Sequence, residues 1–65
     1  MSPHKIAMRE LLDSGYFLKR RTGKHDIYYN AVNNCTIPLK RHDFDEYDLR
    51  YIRKEIRLND HARNG

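Results

Sequence analysis

The 65-residue chain has one cysteine, Cys35, and no apolar run that approaches the roughly 20 residues needed to span a membrane. A single cysteine excludes an intrachain disulfide. Cys35 and the four histidines show no CxxC or HxxxH spacing, so the sequence predicts no structural zinc site. The apolar segment 6–8 is too short for the hydrophobic region of a signal peptide. We therefore predict a cytoplasmic protein with no metal, no other cofactor and no contact with a membrane.

The length of the chain predicts one domain with a modest core. A domain of about 60 residues buries only about 60% of the surface that its unfolded chain exposes. Such a domain does not enclose a deep cavity. If the protein is an enzyme, we expect its site to be a shallow surface, which suits a polymer substrate better than a small molecule.

Positive charge is concentrated in the middle of the chain, whose net charge is +4 overall. Residues 16–42 carry six basic residues against Asp26 as their one acid, whereas acids and bases nearly balance on either side. The six basic residues are Lys19, Arg20, Arg21, Lys24, Lys40 and Arg41. A basic cluster of this kind attracts nucleic acids, although a solvated basic face remains the simpler alternative.

Hydrophobic spacing and turn residues predict the order helix, three strands, helix. The predicted elements are a helix at 3–14, strands at 16–21, 25–30 and 35–39, and a helix at 44–57. Ser2 and Pro3 are typical of a helix start, and Gly15 of a helix end. Asp43 followed by Glu46 is typical of a capping box. Residues 58–65 have no apolar period and are predicted to be a flexible tail after a domain at 1–57.

This order predicts an α+β fold, in which two helices pack on one face of a three-stranded antiparallel sheet. The layout is αβββα, like that of double-stranded-RNA-binding domains. The other face of the sheet stays free. The helical residues predicted to be buried against the sheet are Leu11, Leu12, Leu49, Ile52 and Ile56.

The segment 20–29 is the most informative part of the chain. A turn at Gly23 brings His25 to the start of a strand, close to four basic residues. Imidazole is suited to moving a proton near neutral pH, and Lys and Arg side chains bind phosphate. Strand alternation puts His25 and Tyr29 on one face and Tyr28 on the other, so either tyrosine is a candidate for base stacking or for the core.

The ordered motifs resemble those of the HicA-type toxins, the small mRNA endonucleases of type II toxin–antitoxin pairs. The resemblance covers about residues 5–57. Its elements are Leu11-Leu12-Asp13-Ser14-Gly15-Tyr16, Gly23-Lys24-His25, Asp26-Ile27-Tyr28-Tyr29, Thr36-Ile37-Pro38 and the helical segment 48–56. Two positions depart from the family pattern. Lys24 stands where a serine is usual, and His42 follows Pro38 by four residues, where the family usually has Pro-x-His.

The resemblance implies ribosome-independent mRNA cleavage and a HicB-type antitoxin that covers the active site. It assigns the catalytic role to His25, as the base that takes a proton from a ribose 2′-OH. No carboxylate cluster typical of a two-metal nuclease is present in the sequence, so we expect cleavage without a metal. Asp43, Asp45 and Glu46 are better explained as helix-capping residues.

The basic residues are predicted to bind RNA phosphates, with Lys24, beside His25, as the first candidate. Alternation puts Arg20 and Arg21 on opposite faces, so we expect only one of them to face RNA. The loop with Lys40, Arg41 and His42 could bind phosphate or supply a second proton-transfer group. A non-catalytic RNA-binding module of the same fold, and more remotely a protein-only adaptor, remain alternatives to the enzyme.

Overall fold

Two helices and three strands follow one another in the order αβββα in a computed structural model of the chain. The model describes the backbone of residues 1–64 and the side chains of residues 1–61. The elements are α1 (Pro3–Asp13), β1 (Phe17–Arg21), β2 (His25–Asn30), β3 (Cys35–Lys40) and α2 (Glu46–Asn64). The predicted α+β fold with its three-stranded antiparallel sheet is confirmed.

The central strand of the sheet is β2, which pairs with β1 on one side and β3 on the other. Its side chains alternate between a buried set and a half-buried set. The buried set is Asp26, Tyr28 and Asn30, and the half-buried set is His25, Ile27 and Tyr29. Because neighbouring side chains of a strand point to opposite faces, His25 and Tyr29 share the face that is turned away from the core.

The core lies between the helices and the Tyr28 face of the sheet. Its buried members are Ala7, Leu11, Tyr16, Tyr28, Ile37, Leu39, Leu49 and Ile52. The prediction was right for Leu11, Leu49 and Ile52, while Ile56 is half-buried against the core. It was wrong for Leu12, which is 53% exposed. The helix turns about 100° per residue, so when Ala7 and Leu11 face the core, Leu12 points away from it.

Helix α1 begins and ends as its flanking residues predict. The Ser2 hydroxyl accepts a hydrogen bond from the Lys5 backbone N–H at 3.3 Å. At the other end, the Tyr16 N–H donates to the Leu11 carbonyl at 2.9 Å, and the Gly15 N–H donates to the Leu12 carbonyl at 3.1 Å. These two bonds form a Schellman motif, which needs a left-handed residue at Gly15, where φ is 91°.

Replacing Gly15 with alanine is expected to lower the free energy of unfolding by about 1–2 kcal/mol, because a side chain disfavours the left-handed conformation. The new Cβ would also lie 3.2 Å from Nδ2 of the buried Asn30. Urea denaturation measures the change. Gly23→Ala is the matched control, since nothing lies within 4 Å of its Cβ position, and it should leave stability unchanged or slightly raised. Equal losses at the two glycines would contradict the Schellman explanation.

Helix α2 starts later than the sequence predicts. The Asp45 carboxylate accepts hydrogen bonds from the N–H groups of Tyr47 and Asp48, at 3.0 and 3.1 Å. In return, the Asp48 carboxylate accepts one from the Asp45 N–H at 2.9 Å. The capping box is therefore Asp45 with Asp48, and the predicted pair of Asp43 with Glu46 was wrong. Asp43 has a φ of 55°, which bends the chain before the helix can begin.

Helix α2 also ends later than predicted, at Asn64 instead of residue 57. Residues 58–64 of the predicted tail are therefore helical, and Gly65 lies outside the described residues. The Asn59 side chain donates a hydrogen bond to the Tyr16 hydroxyl at 2.9 Å, which ties this part of the helix to the core. A segment without an apolar period cannot bury an apolar stripe against the core. Good helix formers such as Leu58 nevertheless extend a helix that has already begun. Neither helix, within residues 1–64, is long and apolar enough to cross a membrane.

Candidate active site

The β1–β2 turn sets the position of His25. The Thr22 N–H donates to the His25 carbonyl at 2.8 Å, and the His25 N–H donates to the Thr22 hydroxyl at 3.1 Å. These bonds close the turn over Gly23 and Lys24. His25 is consequently the first residue of β2, and its half-buried ring stands at the end of the sheet.

The guanidinium of Arg41 holds the same turn from the far end of β3. Its Nη1 donates to the His25 carbonyl at 3.1 Å and to the Asp26 carboxylate at 2.8 Å. Its Nη2 donates to the carbonyls of Thr22 and Gly23 at 2.7 and 2.6 Å. Arg41 was predicted to bind RNA. That role stays a prediction, and four hydrogen bonds inside the protein make Arg41 a clamp on the turn that carries His25.

Asp26, the one acid of the basic segment, is the buried partner of this clamp. Its carboxylate lies 2.8 Å from Arg41 Nη1 and 3.5 Å from Arg21 Nε. Arg21 therefore lies on the Asp26 side of the strand, opposite to His25, although its side chain is 67% exposed.

Burial raises the pKa of Tyr28, and the Asp26 charge raises it further against an opposing effect of Arg21. Tyr28 is a core residue, which removes it as a stacking candidate.

A shallow, open depression of about 360 Å³ lies beside His25. It is lined by Gly23, Lys24, His25, Lys40, His42 and Asp43. The turn supplies one side of it, and the loop after β3 supplies the other. The structure thus brings together three predicted site residues, namely Lys24, His25 and Lys40, and adds His42. An imidazole that can transfer a proton and ammonium groups that can bind a phosphate therefore share one surface.

Lys40 stands directly opposite His25 in the β2–β3 ladder. Its Nζ lies 3.4 Å from the Asp48 carboxylate, so it joins β3 to the first turn of α2. The Asp45 N–H holds the pKa of Asp48 below its usual range, and Lys40 adds to this lowering against a smaller effect of burial. A phosphate bound beside His25 would compete with Asp48 for this ammonium.

The remaining basic residues, Lys19 and Arg20, lie farther along the sheet from the depression, on β1. Arg20 is opposite Ile27 in the β1–β2 ladder, and the register shifts at Lys19. The Lys19 ammonium lies 4.6 Å from the centre of the Tyr29 ring. Of the six basic residues predicted to bind RNA, the structure puts Lys24 and Lys40 beside His25, Lys19 beside Tyr29, Arg20 beside Ile27, and Arg21 and Arg41 beside Asp26.

Two features of the site were missed by sequence reasoning. The clamp by Arg41 joins two strands and a turn. The one feature of the sequence that could have predicted it is Asp26, the single acid among the basic residues of the middle segment. His42 was predicted only as one member of a loop that could bind phosphate or supply a second proton-transfer group, and the sequence did not show that it lines the same depression as His25. Within residues 1–61, no group of three or more His, Cys, Asp or Glu side chains is arranged to hold a metal ion.

Comparison of the chain with models of protein families, with curated proteins and with solved structures finds no match. The resemblance to HicA-type toxins therefore stays a prediction that depends on the motifs of the sequence.

Proposed function

We propose that the protein is an endoribonuclease that cleaves mRNA, and that it acts as the toxin of a HicA-type pair. The observation that carries the proposal is the shallow depression in which His25 meets Lys24, Lys40 and His42. Its shape suits a polymer, and its charge suits a phosphodiester. An enzyme of this kind would work in the cytoplasm, where its substrate is found.

In the proposed reaction, an unprotonated ring nitrogen of His25 takes the proton of a ribose 2′-OH. The 2′-oxygen then attacks the adjacent phosphorus, and the bond from phosphorus to the 5′-oxygen breaks. The products are an RNA end with a 2′,3′-cyclic phosphate and an RNA end with a free 5′-OH. The leaving 5′-oxygen takes a proton from His42 or from water. These steps need no metal ion.

The two lysines of the depression would stabilise the negative charge that grows on the phosphoryl oxygens. Lys24 is exposed at the tip of the turn and has no ion pair with an acid among the described residues, so it can meet a phosphate directly. Lys40 would first have to leave Asp48. We therefore expect Lys24 to bind the scissile phosphate and Lys40 to adjust once the substrate has bound.

The proposed partner is a HicB-type antitoxin that covers His25. An open depression at the end of a sheet is accessible to a protein as well as to RNA. Coexpression with the product of the neighbouring reading frame would then abolish growth arrest, because the antitoxin would exclude mRNA from the depression.

The purified protein is expected to cut single-stranded RNA in the presence of EDTA and to leave 2′,3′-cyclic phosphate ends. An RNA of the same sequence with 2′-O-methyl groups should bind but remain intact, because it lacks the attacking hydroxyl. Gel electrophoresis detects cleavage, and mass spectrometry identifies the ends. Cleavage of the 2′-O-methyl RNA, or products with 5′-phosphates, would contradict the proposed chemistry.

A non-catalytic RNA-binding module is the second candidate function, favoured by the basic and aromatic side chains that lie away from His25. The same assay separates the two functions. Binding of both RNAs without any cleavage would favour the module over the enzyme.

A further inference from the structure

An aromatic pair lies on the face of the sheet that is turned away from the core. Phe17 of β1 stands opposite Tyr29 of β2, and their rings meet edge to face with centroids 5.6 Å apart. Phe17 is 48% exposed. The Tyr29 hydroxyl donates to the Asn34 side chain at 2.9 Å, which fixes the ring against the β2–β3 turn. The pair is thus accessible to solvent, and its Tyr29 ring is held by a hydrogen bond to the turn.

Two cations lie on β1 close to this pair. The Lys19 ammonium lies 4.6 Å from the centre of the Tyr29 ring, and Arg20 is exposed on the same face beside Ile27. Neither side chain has an ion pair with an acid among the described residues. A flat ring flanked by free cations is the combination with which proteins bind single-stranded nucleic acid, with bases on the rings and phosphates on the cations.

The aromatic pair and the depression beside His25 lie on one continuous surface. His25, Ile27 and Tyr29 alternate along β2 on the same face. Four residues of strand, at about 3.3 Å each, separate His25 from Tyr29 by about 13 Å. This distance is short enough for one RNA strand to reach both places at the same time.

We infer that the Phe17–Tyr29 pair is a base-stacking subsite for single-stranded RNA, a few nucleotides away from the phosphate that is cut. This inference rests on the proposed function. An incoming base would lie on the exposed aromatic surface and displace the Lys19 ammonium, which then pairs with a phosphate. Bases of a duplex are stacked on one another, so the subsite selects unpaired RNA.

RNA is a better occupant of this face than a protein partner. The core of a protein interface is depleted of lysine, whereas here Lys19 sits directly on the ring. Lys24 extends the positive charge beyond His25, so the whole track from Phe17 to the turn complements a phosphate backbone.

The test measures RNA affinity in the His25→Ala protein, which cannot cut the probe. The probes are a short fluorescent single-stranded RNA and inorganic polyphosphate, which has charge but no bases. We expect Phe17→Ala and Tyr29→Ala to weaken RNA binding about 5- to 150-fold, the usual range for loss of a stacked base, and to leave polyphosphate binding unchanged. Tyr29→Phe, which keeps the ring and loses the bond to Asn34, should bind RNA almost as the parent does.

Tyr47→Ala is the matched control. Tyr47 is also exposed and also has a cation beside its ring, since Arg50 lies 5.2 Å from the ring centre, but it belongs to α2. Its replacement should not change RNA affinity. If Tyr29→Ala fails to fold, as circular dichroism would show, Phe17→Ala decides the question alone, because half of its side chain is already exposed.

Unchanged RNA affinity in Phe17→Ala would overturn the inference, as would an equal loss for RNA and polyphosphate. Loss of antitoxin binding with RNA affinity intact would overturn it too, and would make the face a protein interface. A protein that never cuts RNA but needs Phe17 to bind it would refute the proposed cleavage and keep the stacking subsite. Cleavage that depends on His25 but not on Phe17 would support the proposed cleavage and refute the stacking subsite.

Discussion

Arg41→Ala is expected to lower the free energy of unfolding by about 2–4 kcal/mol, since it leaves the buried Asp26 carboxylate with only a distant partner. Asp26 is 7% exposed, and Arg21 lies 3.5 Å from it, against 2.8 Å for Arg41. The substitution also removes one hydrogen-bond donor from each of three carbonyl groups of the turn. A domain of 65 residues has a total stability of about 3–10 kcal/mol, so this loss would unfold much of the protein on mild heating.

Arg53→Ala is the matched control for this prediction. The Arg53 guanidinium also binds a carboxylate closely, with Nη2 2.8 Å from Glu10, but both side chains are more exposed than those of Arg41 and Asp26. An exposed ion pair contributes at most about 1 kcal/mol. Urea midpoints of the two variants should therefore differ clearly, and equal midpoints would refute the special role of the clamp.

A double variant tests whether the unpaired charge is the cause of the loss. In Asp26→Asn/Arg41→Ala, a neutral amide replaces the carboxylate, and burying it without a partner is less costly than burying a charge. We expect the double variant to be more stable than Arg41→Ala alone. If the two variants are equally stable, the missing bonds to the turn carbonyls, which both variants share, account for most of the effect rather than the Asp26 charge.

His25→Ala is expected to slow RNA cleavage by about 10²–10⁴-fold, the usual contribution of a general base. RNA affinity should change little, because Lys24, Lys19 and Arg20 remain. The fold should also persist, since the hydrogen bonds of His25 in the turn use its backbone. Rates on a labelled RNA and growth on expression of the two proteins measure the effect.

His61→Ala serves as the control for His25→Ala, because His61 is exposed on α2, outside the depression. It should cut RNA and arrest growth as the wild-type protein does. Growth arrest that persists in a folded His25→Ala protein would reject His25 as the catalytic base. Loss of cleavage and of RNA affinity together would point instead to a binding role for the ring.

Local patterns predicted much of the fold. The alternation along β2, the Gly15 stop and the left-handed Asn34 of the β2–β3 turn, where φ is 58°, follow from steric preferences of single residues. The predictions were wrong where two neighbouring residues, or two neighbouring pairs, could have taken the same structural role. Asp43 with Glu46 and Asp45 with Asp48 have the same spacing, and only the path of the chain decides between them. Leu12 looked as apolar as Leu11, and the direction of the sheet from α1 decided which one is buried.

The sequence was enough to predict which residues lie at the centre of the site, but not which residues support them. His25 and Lys24 are neighbours in sequence, so a turn at Gly23 was enough to bring them together. Lys40 joins them through strand pairing, which fixes it opposite His25. Arg41, the next residue, points to the turn instead of the solvent because a buried carboxylate and unpaired carbonyls attract its guanidinium. Sequence charge alone does not distinguish a cation that stays exposed to solvent from one that supports the loop.

The Arg41 clamp has a consequence for how the turn responds to a ligand. A loop whose carbonyls are bound from a neighbouring strand has little conformational entropy left to lose when RNA binds, so less of the contact energy is offset by ordering. The same rigidity limits adaptation, because His25 and Lys24 cannot shift far to follow a differently shaped substrate. Preference among RNAs would therefore depend on how readily the RNA bends to fit the protein, and unstructured, pliable segments would be cut first.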